Sequence, residues 1–239
     1  MKIEGKTILV TGANRGIGRA LVEEALRRGA KQVYAGVRTS FTHSDRRVTP
    51  LTLDVTDEGQ IRKAVGRVVS LDILINNAGV MFYDDLSDRA MIERHLSVNF
   101  FGMYGMTRAF LPSLVRTHGT IVNILSVIAL APLPPTASYS ISKAAAFSMT
   151  QSMRAFLAGQ GVKVHAVLAG PTDTDLIRGL DIPKTSPELV AQGIFDGVEK
   201  GEEDIFPDPQ SASVAESWRN SAMKALEHRF AALVQAQTV

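Results

Sequence analysis

TILVTGANRGIG, residues 7–18, runs a short apolar stretch into three glycines and then into a helix start. Residues 7–12 form a continuous short run ended by glycine, which predicts a buried strand. Residues 16–30, GIGRALVEEALRRGA, repeat apolar side chains at helical spacing, with Gly29 where a C-cap belongs. Gly12, Gly16 and Gly18 allow a tight turn between the two and a close approach of the backbone to a ligand. The helix start then offers unpaired N–H groups and the positive end of the helix dipole, both suited to a phosphate. A glycine triplet alone is weak evidence. Its place between the first strand and the first helix is what a dinucleotide-binding βα unit requires.

Outward from this turn the alternation continues. Strands are predicted at 31–37, 48–55, 71–79, 119–126 and 162–170, with a short one near 203–206. Helices are predicted at 57–69, about 86–117, 138–161 and 187–201, and a last amphipathic one at about 211–235. This order predicts a three-layer α/β fold, a doubly wound parallel sheet of about seven strands with helices on both faces. Residues 170–186, GPTDTDLIRGLDIPKTS, show no period and several turn residues, so a mobile substrate loop is expected over 171–190. No repeat, low-complexity tract or linker interrupts the chain, and one domain is expected over 1–239.

The 239 residues are 45% apolar and 21% charged, an ordinary globular composition. A net charge of +2 gives no reason to expect nucleic acid or an anionic membrane surface as partner. No cysteine is present, which excludes disulfides, thiolate catalysis and Cys-ligated zinc. The run Ile8–Val10 is too short for a signal-peptide core, and no stretch approaches a membrane span. The expectation is a soluble, cytoplasmic protein.

Thr-Gly-x-x-x-Gly-x-Gly at 11–18 differs from the G-x-G-x-x-G fingerprint. With LDV at 53–55, NNAG at 76–79, VN at 98–99, Ser126, YSISK at 139–143 and AGPTDT at 169–174, it resembles the short-chain dehydrogenase/reductase family over most of the chain. The resemblance implies a Rossmann fold and a nicotinamide cofactor. It places Gly12, Asn14, Arg15, Gly16, Ile17 and Gly18 along that cofactor, and Asp54 and Val55 at its adenine. It makes Asn77, Ala78 and Gly79 a supporting turn, and sets Gly170, Thr172 and Thr174 near the nicotinamide end. One departure is Ala169-Gly170, where the family usually has Pro-Gly.

The choice of nicotinamide cofactor follows from charge. An acidic residue ending the second strand would bind the ribose hydroxyls of NAD and repel a 2′-phosphate. VYAGVR, at 33–38, has no Asp or Glu. Arg38 stands just beyond the strand and Arg15 lies inside the glycine turn. Bidentate Arg–phosphate contacts are strong and geometry-specific, so NADP(H) is expected over NAD(H).

Tyr139 and Lys143 are four residues apart and share one face of a predicted helix. A free phenol has a pKa near 10 and is a poor acid at neutral pH. An ammonium about 4 Å from a phenolate stabilises it by roughly 4 kcal/mol at an effective dielectric of 20, opposed in part by desolvation. That could lower the pKa by up to about three units and make tyrosine useful in proton transfer. By the resemblance, Tyr139 protonates the developing alkoxide, Ser126 donates a hydrogen bond to the same oxygen, and Lys143 also holds the nicotinamide ribose. Asn99 would position a water that connects Lys143 to solvent. Each residue alone has a plainer reading: a strand-end turn for Ser126, packing for Tyr139, a surface charge for Lys143, a helix kink or cap for Asn99. Their joint spacing favours the catalytic one.

His43, His95, His118, His165 and His228 form no close metal-ligand pair and are read as structural or surface residues, with no metal site. Asp173, Asp175 and Asp181 are read as a solvated face of the loop. By family position, Val80–Tyr83, residues 127–137 and the loop after Gly170 would wall the substrate. The uncharged VIALAPLPPTA argues for an apolar pocket, although these residues could equally be buried as core. Phe100, Phe101, Phe110, Phe147 and Phe156 give the two long helices apolar side chains on more than one face. The equivalent helices pair between subunits in the family, so a homodimer or homotetramer is expected.

The leading reading is an NADP(H)-dependent carbonyl reductase or secondary alcohol dehydrogenase acting on a ketone with apolar substituents. A 3-oxoacyl thioester reductase would use the same catalytic group. A non-catalytic NADP(H)-sensing regulatory protein is the alternative from another class, and the intact Ser126, Tyr139 and Lys143 set argues against it.

Overall fold

The computed structural model describes residues 1–236. Strands β1 (Thr7–Thr11), β2 (Gln32–Val37), β3 (Val48–Thr52), β4 (Ile73–Asn76), β5 (Thr120–Ile124), β6 (Lys163–Val167) and β7 (Asp204–Ile205) form one sheet. Its order is β3-β2-β1-β4-β5-β6-β7, and every neighbouring pair is parallel. The order reverses between β1 and β4, the switch point at which such sheets open a cleft at the carboxyl ends of their strands.

Both faces of the sheet are covered, which is why the central strands β1 and β4 carry consecutive buried apolar residues, Ile8–Val10 and Ile73–Ile75. In β1, Ile8 and Val10 pack toward α1 (Gly16–Arg27) and α6 (Pro187–Lys200), among Leu21, Val22, Ile194 and Phe195. Leu9 points the other way, toward α2 (Glu58–Arg67) and α4 (Met103–Thr117), among Leu74, Ile61, Phe110 and Leu114. Ile73 and Ile75 against Leu74 repeat the division in β4. Fully burying a leucine or isoleucine is worth about 1.5–3 kcal/mol, so these alternating pairs fix the register.

Helix ends follow local chemistry. Asp57 caps α2 by accepting the Gln60 N–H. Ser186 caps α6, Pro187 opens it and Gly201 closes it at φ +78°. At α1 the N-cap residue is Arg15, with no side-chain cap, so the first N–H groups stay free toward the cleft.

Several boundaries differ from the sequence reading. Strands expected to reach residues 55, 79, 126 and 170 end at Thr52, Asn76, Ile124 and Val167, because the chain leaves the sheet there to wall the cleft. The helix expected over 86–117 begins at Arg89, capped by Asp88, and is interrupted between α3 (Arg89–Leu96) and α4 by a π-helical segment, Ser97–Gly102. The single helix expected over 211–235 is two, α7 (Pro209–Arg219) and α8 (Ala222–Ala236). A capping box between Asp208 and Ser211 starts α7 early, and Ser221 accepts the Lys224 N–H at the restart. Arg154 of α5 (Ala137–Ala158) ties α8 down through an ion pair with Glu227 and pairs at 2.8 Å with Asp204 of β7.

Among the described residues no helix is long and apolar enough to cross a membrane, and no group of three or more His, Asp or Glu is arranged to hold a metal ion.

Candidate active site

A cleft of about 880 Å³ opens at the carboxyl ends of β1, β2, β4, β5 and β6. Its floor is the glycine turn. Gly12 adopts φ +67°, open to glycine at little cost. A Cβ on Gly18 would stand 2.1 Å from the Gly12 carbonyl oxygen, so the first helix can approach the turn only because residue 18 has no side chain. Thr11 Oγ1 accepts the N–H groups of Asn77 and Ala78, each at 2.9 Å, and Asn77 Nδ2 donates to Thr11 O at 2.8 Å. These bonds lock the turn after β1 to the turn after β4 across the switch point.

Every residue expected to hold a dinucleotide lines this cleft: Gly12, Asn14, Arg15, Gly16, Ile17, Gly18, Arg38, Asp54, Val55, Asn77, Ala78, Gly79, Tyr139, Lys143, Gly170, Thr172 and Thr174. The uncapped α1 N-terminus offers free N–H groups to a pyrophosphate. Arg38 is exposed at the end of β2, with Thr39 beside it and no carboxylate in the strand. Asp54 turns its carboxylate onto the N–H and hydroxyl of Thr56, at 2.9 and 2.7 Å.

Arg15 has a partner that the sequence did not disclose. Its guanidinium meets Asp175 Oδ2 at 3.1 Å, and Asp175 also pairs with Arg178. Asp175 begins a short 3-10 turn, Asp175–Ile177, inside the expected loop, so it is not merely part of a solvated face. The pair bridges the glycine turn and the loop at the cleft mouth.

Tyr139 lies in the first turn of α5 and faces the cleft, with Lys143 one turn on and buried. Ser126 stands where the chain leaves β5, lines the cleft, and accepts the Ile128 N–H at 3.4 Å. Lys143 Nζ donates to Ile124 O at 2.8 Å and lies 5.6 Å from the Tyr139 ring centre. Burial holds the Lys143 pKa down at about 8 and pushes the Tyr139 phenol above its ordinary value. The upward shift of the phenol comes from burial and runs opposite to the lowering expected from the ammonium, whose Nζ is bonded to a backbone carbonyl.

Asn99 does not line the cleft. It is buried in the π-helical segment, a local widening common at functional sites. Its Oδ1 accepts the Val80 N–H, and its Nδ2 donates to Val80 O and to Ser142 Oγ, all at 2.9 Å. Ser142 in turn donates to Tyr139 O at 2.7 Å. The side chain is engaged at both ends by protein and joins the cleft wall to the helix of Tyr139.

Val80, Met81 and Tyr83 from the segment after β4 wall the cleft, with Val127, Ile128 and Leu176 among the apolar side chains from elsewhere. Two residues behind this wall were missed. Asp84 accepts the N–H and hydroxyl of Ser138 at the start of α5, the hydroxyl at 2.7 Å. His95 is the other, a residue whose sequence context indicates only a structural or surface role. It is buried and bonded to the wall, and the available signal was its place four residues before Asn99 on the same helix face.

The family model described as short chain dehydrogenase matches residues 6–183. A 3-oxoacyl-(acyl-carrier-protein) reductase, FabG, of Thermotoga maritima is 32% identical over 196 residues, 75% of this chain and 79% of its own length. The oxidoreductase UcpA of Salmonella typhimurium is 30% identical over 194 residues, 75% of this chain and 74% of its own. Among solved structures, a short chain dehydrogenase from Burkholderia cenocepacia in complex with NADP is 37% identical, with a TM-score of 0.88, covering 96% of this chain and 98% of that one.

Proposed function

The chain belongs to the short-chain dehydrogenase family and is an oxidoreductase of CH–OH and keto groups, and from that premise we propose that it is an NADP(H)-dependent reductase of ketones with apolar substituents. The observation that carries this reading is the convergence of Ser126, Tyr139 and Lys143 on one cleft with the glycine turn and Arg38. The NADP-bound relative of 37% identity supports the cofactor.

The residues present suit that cofactor. Residues 12–18 and the start of α1 would hold its pyrophosphate, Arg38 and Arg15 a 2′-phosphate, and Asp54 and Val55 the adenine. Gly170, Thr172 and Thr174 would meet the nicotinamide end. Bound NADPH supplies a hydride to a carbonyl carbon. Ser126 Oγ donates a hydrogen bond to the carbonyl oxygen and stabilises the charge that develops there. Tyr139 Oη delivers a proton to the same oxygen. The Lys143 ammonium offsets the phenolate that remains, and Asn99 holds Val80 and, through Ser142, the Tyr139 carbonyl. The apolar wall excludes water and favours hydrophobic substituents. Alcohol oxidation reverses these steps.

The FabG relative gives weight to acyl thioesters as a second substrate class. Exposed Phe101, Tyr104, Ile141 and Phe156 along the two long helices support a homodimer or homotetramer. The lack of cysteine fits a cytoplasmic setting. The test is loss of NADPH absorbance with a panel of aryl ketones, β-keto esters and acyl thioesters. Turnover of ketones, faster with NADPH than with NADH, is expected. Tight NADPH binding with no turnover of any carbonyl would replace the reductase with a cofactor sensor.

A further inference from the structure

Three side chains grip one stretch of the cleft wall at every second residue. Asn99 holds the N–H and carbonyl of Val80. His95 Nε2 accepts the Phe82 N–H at 3.0 Å. Ser138 holds Asp84, whose own N–H donates to Pro135 O at 3.2 Å. Val80 at the inner end lines the cleft, and beyond it Met81 and Tyr83 do so while Phe82 and Asp84 do not. From Met81 to Asp84 this alternation is what an extended backbone gives.

The spacing explains why one helix can make two of these grips. His95 and Asn99 are four residues apart, a helical advance of about 6 Å, and two residues of extended chain span about 6.6 Å. An i,i+4 pair on a helix therefore matches an i,i+2 pair on a chain running the opposite way, and here 95 and 99 meet 82 and 80.

His95 is fully buried and does not touch the cleft. Its Nδ1 lies 2.8 Å from Met91 O. A carbonyl only accepts, so Nδ1 carries the proton and Nε2 is the free acceptor for Phe82. The ring also packs 5.4 Å from the Phe82 ring and 6.1 Å from the Tyr139 ring, centre to centre. One side chain thus touches both the substrate wall and the phenol.

We propose that His95 is a positioning residue for the carbonyl substrate: by holding the Phe82 N–H through Nε2, it sets the register in which Met81 and Tyr83 face that substrate beside Tyr139. This rests on the reductase reading of the cleft. Asn99 and Ser138 hold the two ends of the same segment, and His95 holds its middle.

The test compares His95→Phe, which keeps a ring but loses the acceptor, with His95→Gln, whose amide oxygen reaches the Nε2 position. Ketone KM and kcat are measured at saturating NADPH, and NADPH affinity by nucleotide fluorescence. An unpaired buried N–H predicts a rise of about tenfold in ketone KM for H95F, with NADPH affinity unchanged and KM largely restored in H95Q. Three results would overturn the proposal: wild-type KM in H95F, parallel loss of ketone and NADPH binding, or H95Q as impaired as H95F. Should H95F fail to fold, Asp84→Ala loosens the outer end of the segment, and an unchanged ketone KM there overturns the proposal equally. A wild-type protein inactive on every carbonyl would instead sink the reductase reading, and this proposal with it.

Discussion

Lys143 and Tyr139 share one face of α5, with Nζ over the tyrosine ring at 5.6 Å from its centre and bonded to Ile124 O at 2.8 Å. Both groups are desolvated, the lysine held down to about pKa 8 and the tyrosine pushed up. The fold thus keeps a charged group where it costs stability, as sites arranged for chemistry do.

Replacing that lysine should therefore stabilise the protein. Between an ordinary 10.5 and a folded value of about 8 lie about 2.5 units, on the order of 3 kcal/mol. Below pH 8 Lys143 is charged in both states and the full penalty applies. From pH 8 to 10.5 the folded state releases its proton first and the penalty fades. Denaturant melts of Lys143→Met should show a gain of up to about 3 kcal/mol at pH 7 that shrinks by pH 10, with turnover lost. Equal or lower stability at pH 7 would count against the burial argument.

Cofactor choice is expected to rest on Arg38. Arg38→Asp should lower kcat/KM for NADPH by about a hundredfold and move preference toward NADH. Arg15 contributes less while Asp175 holds it. That pair is largely exposed, at 64% and 40%, and pairs of this kind are worth about 0.2–1 kcal/mol. Asp175→Asn should accordingly tighten NADPH binding by at most about fivefold in a titration. Weaker binding would show that Asp175 supports the cofactor instead of competing for Arg15.

His165 predicts an acid-labile core. It is buried in β6, its Nδ1 bonded to Glu202 O and its Nε2 without a partner among the described residues. Burial depresses its pKa from 6.5 to about 4. The unfolded chain binds the proton first, so stability falls as pH drops from 6.5 toward 4, by on the order of 3 kcal/mol in full. His165→Phe should remove that part of the slope in melts between pH 7 and 4. An identical slope in wild type and variant would rule it out.

Much of the cleft was legible because its residues are tied to local backbone demands. Gly12 and Gly18 answer a turn that no side chain can enter, and Tyr139 and Lys143 share a face by helical geometry alone. What stayed hidden depends on docking between distant segments. Nothing near Arg15 announces Asp175, and nothing near His95 announces the Phe82 N–H. The direction of Lys143 Nζ depends on the carbonyl of Ile124 in a neighbouring strand, and the upward shift of Tyr139 on its burial in the folded packing. The break between α7 and α8 was masked because amphipathic spacing continues through Asn220 and Ser221, although a capping serine was there to be seen.

The most direct test of the central claim is Tyr139→Phe, measured for NADPH affinity and for single-turnover ketone reduction. Loss of the proton donor alone predicts wild-type affinity with a rate lower by about 10²–10⁴-fold. A variant that binds NADPH and reduces the ketone at the wild-type rate would contradict the assignment of Tyr139 as the acid.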